Sequence, residues 1–201
     1  MTPDPHPRPH PPALSRSELL TGALATLAGG AALAALPDAA GSAPSAKLDV
    51  AILNFGLLIE EIQAGFYAEA LRRARLAGEL RTFAEVVGGH EREHVRFIRA
   101  ALGRKADAAP KLDFGDDTAD AERFARSALR LEDLGVKAYF TQAAHLRPAT
   151  LAQVGRIATV ESRHASWIRD LAGLDPAPDP VEPQLDAKTV RRTLQGSGYV
   201  R

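Results

Sequence analysis

The stretch VGGHEREHVRF, residues 87–97, sets two histidines and two glutamates within five consecutive positions, and its reading decides the fold. One reading is a solvated charge run. The other turns Glu91 and His94, three apart and therefore on one helical face, inward toward a metal ion. Around them Val86, Val87, Phe97, Ile98 and Leu102 are spaced as on a helix, which predicts one over residues 80–102. Gly88 and Gly89 lie inside it, and each costs about 1 kcal/mol relative to Ala. A kink, or a close approach by another helix, would account for them.

Three more helices follow from the same periodicity. The first spans residues 48–76, where Ile52, Phe55, Ile59, Ile62, Phe66 and Ala70 form the stripe and Gly78 marks the end. Residues 104–118 (RKADAAPKLDFGDDT) are polar, carry Pro110 and Gly115, and read as a linker. Thr118 or Asp117 then caps a third helix over 119–145, with Phe124, Leu129, Leu131, Leu134 and Tyr139 in its pattern. Pro148 suits the first turn of a fourth, over 148–173, in which Trp167 belongs to the core. Beyond it four prolines predict an extended tail over 174–201 with a short helix at Ala187–Leu194. No strand pattern competes, so the fold class is all-α.

Placed on these helices, the acidic and imidazole residues repeat. Glu60 and Tyr67 are seven apart on the first helix, and Glu132 and Tyr139 are seven apart on the third. Glu91 and His94 recur as Glu161 and His164, so the two halves are offset by 72 and 70 residues. With 12 Glu and 6 His in the chain, one Glu-x-x-His by accident is ordinary. Two, each preceded by a Glu with a Tyr seven further on, are not.

Glu60 lies 18 residues before Gly78 and Glu91 lies 13 after it, about 27 and 20 Å of helix, so a hairpin brings them to similar heights. Glu132 and Glu161 stand likewise, 16 before and 13 after Pro148. A two-fold between the halves is expected to run the first and third helices alike, with the linker returning along the bundle. Fifteen extended residues reach roughly 50 Å, against a bundle about 35 Å long.

Four carboxylates and two imidazoles then converge. Buried together, the carboxylates would repel and their pKa values would rise. Two divalent cations remove that problem, balancing four charges while imidazole completes each shell. One Glu from each of two helices, with Glu-x-x-His from each of the others, is the arrangement that holds two iron or two manganese ions in helical bundles. Glu61, Glu69 and Glu93 fall off that face and read as surface charges. His90, next to Glu91, points elsewhere on the helix. Tyr67 and Tyr139 are expected to be buried aromatics whose hydroxyls reach ligand carboxylates, with a redox role as the sharper alternative.

The rest of the composition narrows the class. From Lys47 onward 23 Lys and Arg face 22 Asp and Glu, so no basic surface for nucleic acid is indicated. Without cysteine, a metal site must use His, Asp and Glu, which suits iron, manganese or zinc. Residues 1–46 differ in kind. A Pro/His-rich start, which cannot form a packed element, precedes LSRSELL and the uncharged run Leu19–Leu36, and PDAAGSAPSA follows. That order of regions reads as an export signal, with an uncleaved membrane anchor as the alternative. SRSELL resembles a twin-arginine signal in which Ser17 replaces the second arginine.

LNFGLLIEEIQAGFYAEAL (53–71), HEREHVRFIRAALG (90–103), LEDLGVKAYF (131–140) and VESRHASWI (160–168) together resemble the ferritin-like domain family that includes bacterial exported proteins and plant desiccation-related proteins. The resemblance covers roughly residues 48–173. It implies a ferritin-like four-helix bundle over 47–173 with a long crossover between the second and third helices. It also implies metal ligands at Glu60, Glu91, His94, Glu132, Glu161 and His164. Gln63 stands where such helices often carry a second glutamate, one turn from Glu60. The expected cofactors are two metal ions, iron first and manganese second, with O2 or peroxide as reaction partner. The expected protein is exported, periplasmic or in the cell envelope, touches membrane only through an uncleaved N-terminal segment, and is open to homo-oligomerisation. Iron oxidation or oxidant detoxification is the leading function. A stress-protective bundle without turnover is the alternative, with an iron-storing assembly ranked below both.

Overall fold

The structure, a computed structural model, describes residues 43–201 apart from 184 and 186; the segment Leu19–Leu36 lies outside the described residues. Five helices follow one another: α1 Ala46–Arg73, α2 Gly78–Leu102, α3 Ala121–Ala143, α4 Pro148–Leu171 and α5 Ala187–Ser197. Ser45 opens α1 by accepting the Leu48 N–H at 3.2 Å, and Pro148 starts α4 as expected. Asp120 caps α3, accepting from the Arg123 N–H at 2.9 Å, in place of the expected Thr118 or Asp117. Thr118 is instead buried, donating to Glu69 at 2.6 Å and accepting from Arg73 at 3.0 Å. Its hydroxyl ties the crossover to α1. The most apolar window of α1 has the length and composition of a membrane span, yet 61% of it is buried in the protein.

α1 packs chiefly on α2, and α3 on α4. The two hairpins meet through α1 against α3 and α2 against α4. The crossover leaves beside the start of α1, where the Asn54 side chain holds the Lys105 carbonyl and the Asp107 N–H, each at 2.9 Å. It arrives beside the end of α1, where Arg73 reaches the Gly115 carbonyl at 3.0 Å. The long crossover is therefore present, but α1 and α3 do not run alike. Tyr67 of α1 meets Glu132 of α3, and Tyr139 meets Glu60, a pairing only antiparallel helices allow. A chain carried back to the far end of α1 must begin α3 there and run the opposite way. The two-fold consequently lies across the bundle.

Two apolar clusters fill the interior. One, rich in aromatic rings, gathers Phe66, Tyr67, Phe83, Phe124 and Phe114, with Phe66 stacked on Phe124 at 5.4 Å between ring centres. Trp167, half-buried, adds its edge to Phe83. The second cluster joins Leu48, Ile52, Ile98, Leu102, Tyr139 and Ile157 toward the other end. The segment after Gly173 is more than an extended tail. Val190, Leu194 and Tyr199 are buried in the aromatic cluster, and Asp113 and Arg201 donate backbone hydrogen bonds to Tyr199 and Lys111 at 3.0 and 2.9 Å. The C-terminus thereby clips the crossover in place.

α2 is continuous through Gly88 and Gly89. A methyl on Gly88 would lie 2.8 Å from the Tyr67 Cβ, whereas one on Gly89 would meet only the far end of Arg92 at 3.8 Å. Close approach to α1 therefore explains the first glycine and not the second. We predict that Gly88→Ala destabilises the fold by about 1–3 kcal/mol through overpacking, while Gly89→Ala is neutral or stabilises it by up to about 1 kcal/mol. Urea unfolding of both variants checks this; equal effects would contradict the close-approach account.

Candidate metal centre

Each of α1 to α4 delivers part of one buried polar layer. Glu60, Glu91, Glu132 and Glu161 are 0% exposed, His94 8% and His164 3%. Their donor atoms form two sets, Glu60, Glu91, His94 and Glu161, and Glu91, Glu132, Glu161 and His164, with all atoms of a set within 4.8 Å of one another. Glu91 and Glu161 belong to both. The Nδ1 of His94 lies 3.0 Å from Glu60, 3.3 Å from Glu91 and 3.1 Å from Glu161. The Nδ1 of His164 lies 3.0 Å from Glu91, 3.4 Å from Glu132 and 3.6 Å from Glu161. All six residues singled out in the sequence are thus brought together, each Glu-x-x-His contributing one shared carboxylate and one imidazole.

The tyrosines hold the unshared carboxylates from the opposite hairpin. Tyr67 donates to Glu132 at 2.6 Å, and Tyr139 donates to Glu60. Each ring is packed in a different apolar cluster, so apolar packing fixes the hydroxyl that fixes the carboxylate. Gln63 donates to Glu132 at 3.1 Å. The 72-residue offset pairs Gln63 with Gly135, and a methyl on Gly135 would sit 3.0 Å from Glu161 and 3.3 Å from the Gln63 amide. The missing side chain on α3 makes room for the extra one on α1.

The layer is incompletely satisfied by protein. Glu91 Oε1, Glu132 Oε2, both oxygens of Glu161 and the Nδ1 of His164 are buried without a hydrogen bond of acceptable geometry. Unpaired buried polar atoms are rare because desolvation costs roughly 1–3 kcal/mol or more each. Here they converge, and hard carboxylate oxygens with imidazole nitrogens are a donor set that iron or manganese accepts. The residues fit a metal pair.

Electrostatics carries the same mark. Burial, and then the neighbouring Glu91 charge, pushes Glu60 up to about 8. Burial followed by the Glu60 charge does the same to Glu161, also to about 8. Burial opposes the charged form of His94, yet Glu161, Glu60 and Glu91 raise it to about 12. Against the same penalty Glu132 and Glu91 raise His164 to about 10. Protons thus occupy the place that cations would take.

Two expectations change in detail, those for Glu61 and His90. Glu61 is off the layer but not a surface charge, since its side chain is 10% exposed and paired with Arg99. Glu69 binds Arg73 and Thr118, and Glu93 is exposed beside Arg96. His90 does not simply point away. Its exposed ring stacks on His164, 5.1 Å between centres and 16° from parallel, and its Nδ1 lies 2.9 Å from His164 Nε2. It reaches the neighbouring helix rather than its own site residues, which spacing along α2 alone does not reveal.

Four of these groups retain protons in the fold that an unfolded chain would release as pH rises. For Glu60 and Glu161 the window runs from 4.5 to about 8, and for the imidazoles from 6.5 to about 12 and about 10. Their contribution to metal-free stability is complete below the ordinary values and is lost as pH climbs through the folded ones. Bound divalent ions replace those protons, so metal should raise the melting temperature more at about pH 9 than at about pH 6. Calorimetry with and without a chelator measures both. A metal-free protein that becomes more stable over that rise would contradict this electrostatic account.

Comparison with known proteins agrees with the geometry. A search of curated proteins finds no match. The family description "ferritin-like domain" matches residues 48–174, a stretch holding all six residues of the layer and the whole of α1 to α4 but its first two residues. The chain belongs to the ferritin-like domain family.

Proposed function

We propose that this protein is an exported di-metal carboxylate protein that oxidises Fe2+ with O2 or peroxide, removing reactive iron or oxidant. The carrying observation is the pair of four-residue sets that share Glu91 and Glu161. In this reading Glu60, Glu91, His94 and Glu161 would hold one ion, and Glu91, Glu132, Glu161 and His164 the other. Iron is the first choice and manganese the second, as the donor chemistry suits both. When bound, the ions supply a Lewis-acidic, redox-active centre. Fe2+ as substrate gives up electrons, and the oxidant takes them up together with protons.

The chain's own part is to position. Tyr67 and Gln63 hold Glu132, and Tyr139 holds Glu60, leaving the shared carboxylates free of such restraints to shift as charge changes. A purely structural, stress-protective bundle gives no reason to gather four fully buried carboxylates at one level. Export rests on the residues around Leu19–Leu36, whose apolar run between a charged start and small residues follows the pattern of a secretory leader.

The test is Fe2+ oxidation followed by absorbance, with the double variant E91Q/E161Q beside the unaltered protein. The variant should fall to the rate of Fe2+ in buffer while remaining helical. An unchanged rate would reject the proposal, and a protein that never exceeds buffer would favour the structural reading.

A further inference from the structure

The two halves of the metal layer repeat, but what stands behind the imidazoles does not. The 70-residue offset that pairs Glu91 with Glu161 and His94 with His164 pairs His90 with Val160. His90 reaches across from α2 and places its Nδ1 2.9 Å from the outer nitrogen of His164. Val160, the matching residue on α4, has no polar atom to offer His94. Among the described residues the Nε2 of His94 has no protein hydrogen-bond partner, and His94 borders an open depression with Phe97, Arg156 and Ile157.

From this asymmetry we propose that the two metal positions bind unequally, with His90 as the positioning residue that makes the one at His164 the tighter. The inference rests on the di-metal reading and deepens it. Both imidazoles present Nδ1 to the carboxylates. An imidazole that gives Nδ1 to a metal must carry its hydrogen on Nε2. His90 Nδ1 accepts that hydrogen from His164, fixing the tautomer and the ring plane and making the ligand nitrogen more basic. Stacking at 16° holds the ring from the side. His94, which borders the depression, has no such acceptor on its outer nitrogen, and its own ring contact, with His164, is looser, 6.1 Å between centres and 29° from parallel. The His94 position fills second and empties first, and it is the position next to solvent. Exchangeable substrate iron is therefore assigned to the His94 set and the retained ion to the His164 set.

The experiment titrates the metal-free protein with Co2+, a redox-inert probe, by calorimetry and by d–d absorption. The unaltered protein should show two successive steps. H90A should weaken the first by roughly 10–100-fold, the usual loss when the outer partner of a ligating histidine is removed, and leave the second in place. H90N puts a carbonyl oxygen on the same Cγ where Nδ1 stood and should restore the first step. H90F keeps a ring without an acceptor and should behave as H90A does. V160H should tighten the second step. Two equal steps in the unaltered protein, an unmoved first step in H90A, or full binding by H90F would overturn the inference while leaving the di-metal reading intact. No Co2+ uptake by the unaltered protein would overturn both.

Discussion

Four carboxylates buried at one level of a helical bundle are the constraint on which the rest depends. An ion taken from water into a protein interior costs several kcal/mol even after relaxation, and like charges at a few ångströms add to that cost. Glu60, Glu91, Glu132 and Glu161 nevertheless lie fully inside, between two apolar clusters that would pack without them. Something positive must offset them. In the protein alone it is protons on Glu60, Glu161 and the imidazoles; in the functional reading it is a pair of cations.

The fold serves that layer. A crossover running the length of the bundle sets α3 antiparallel to α1, and this puts Tyr67 over Glu132 and Tyr139 over Glu60. The crossover is in turn secured at its start by Asn54, at its end by Thr118 and Arg73, and along its middle by the C-terminal segment. Departures from the two-fold sit next to the layer and not within it. Gln63 fills the space left by Gly135, and His90 stands where the other half has Val160. The shared core of the site is kept, and its surroundings differentiate the two ends.

Much of this is legible in the sequence. The helices appear from the spacing of their apolar residues, and the six layer residues from two Glu…Tyr and two Glu-x-x-His pairs at nearly equal offsets. What eludes the sequence depends on relations between helices. The relative direction of α1 and α3 is fixed by where the crossover ends, which spacing within each helix cannot express. His90 makes its contact on α4, so its place on α2 reads as turned away. Glu61 is charged and off the ligand face, but Arg99 across the helix pair lets it lie nine-tenths covered, its side chain 10% exposed. The tail's prolines suggest an extended chain, and only the packing of Val190, Leu194 and Tyr199 against the aromatic cluster shows that it belongs to the domain.

The central claim is that the buried layer is a metal centre, and elemental analysis of the purified protein tests it most directly. The account predicts about two iron or manganese ions per chain, present on isolation or after reconstitution. A well-folded protein that takes up neither metal under either condition would contradict it.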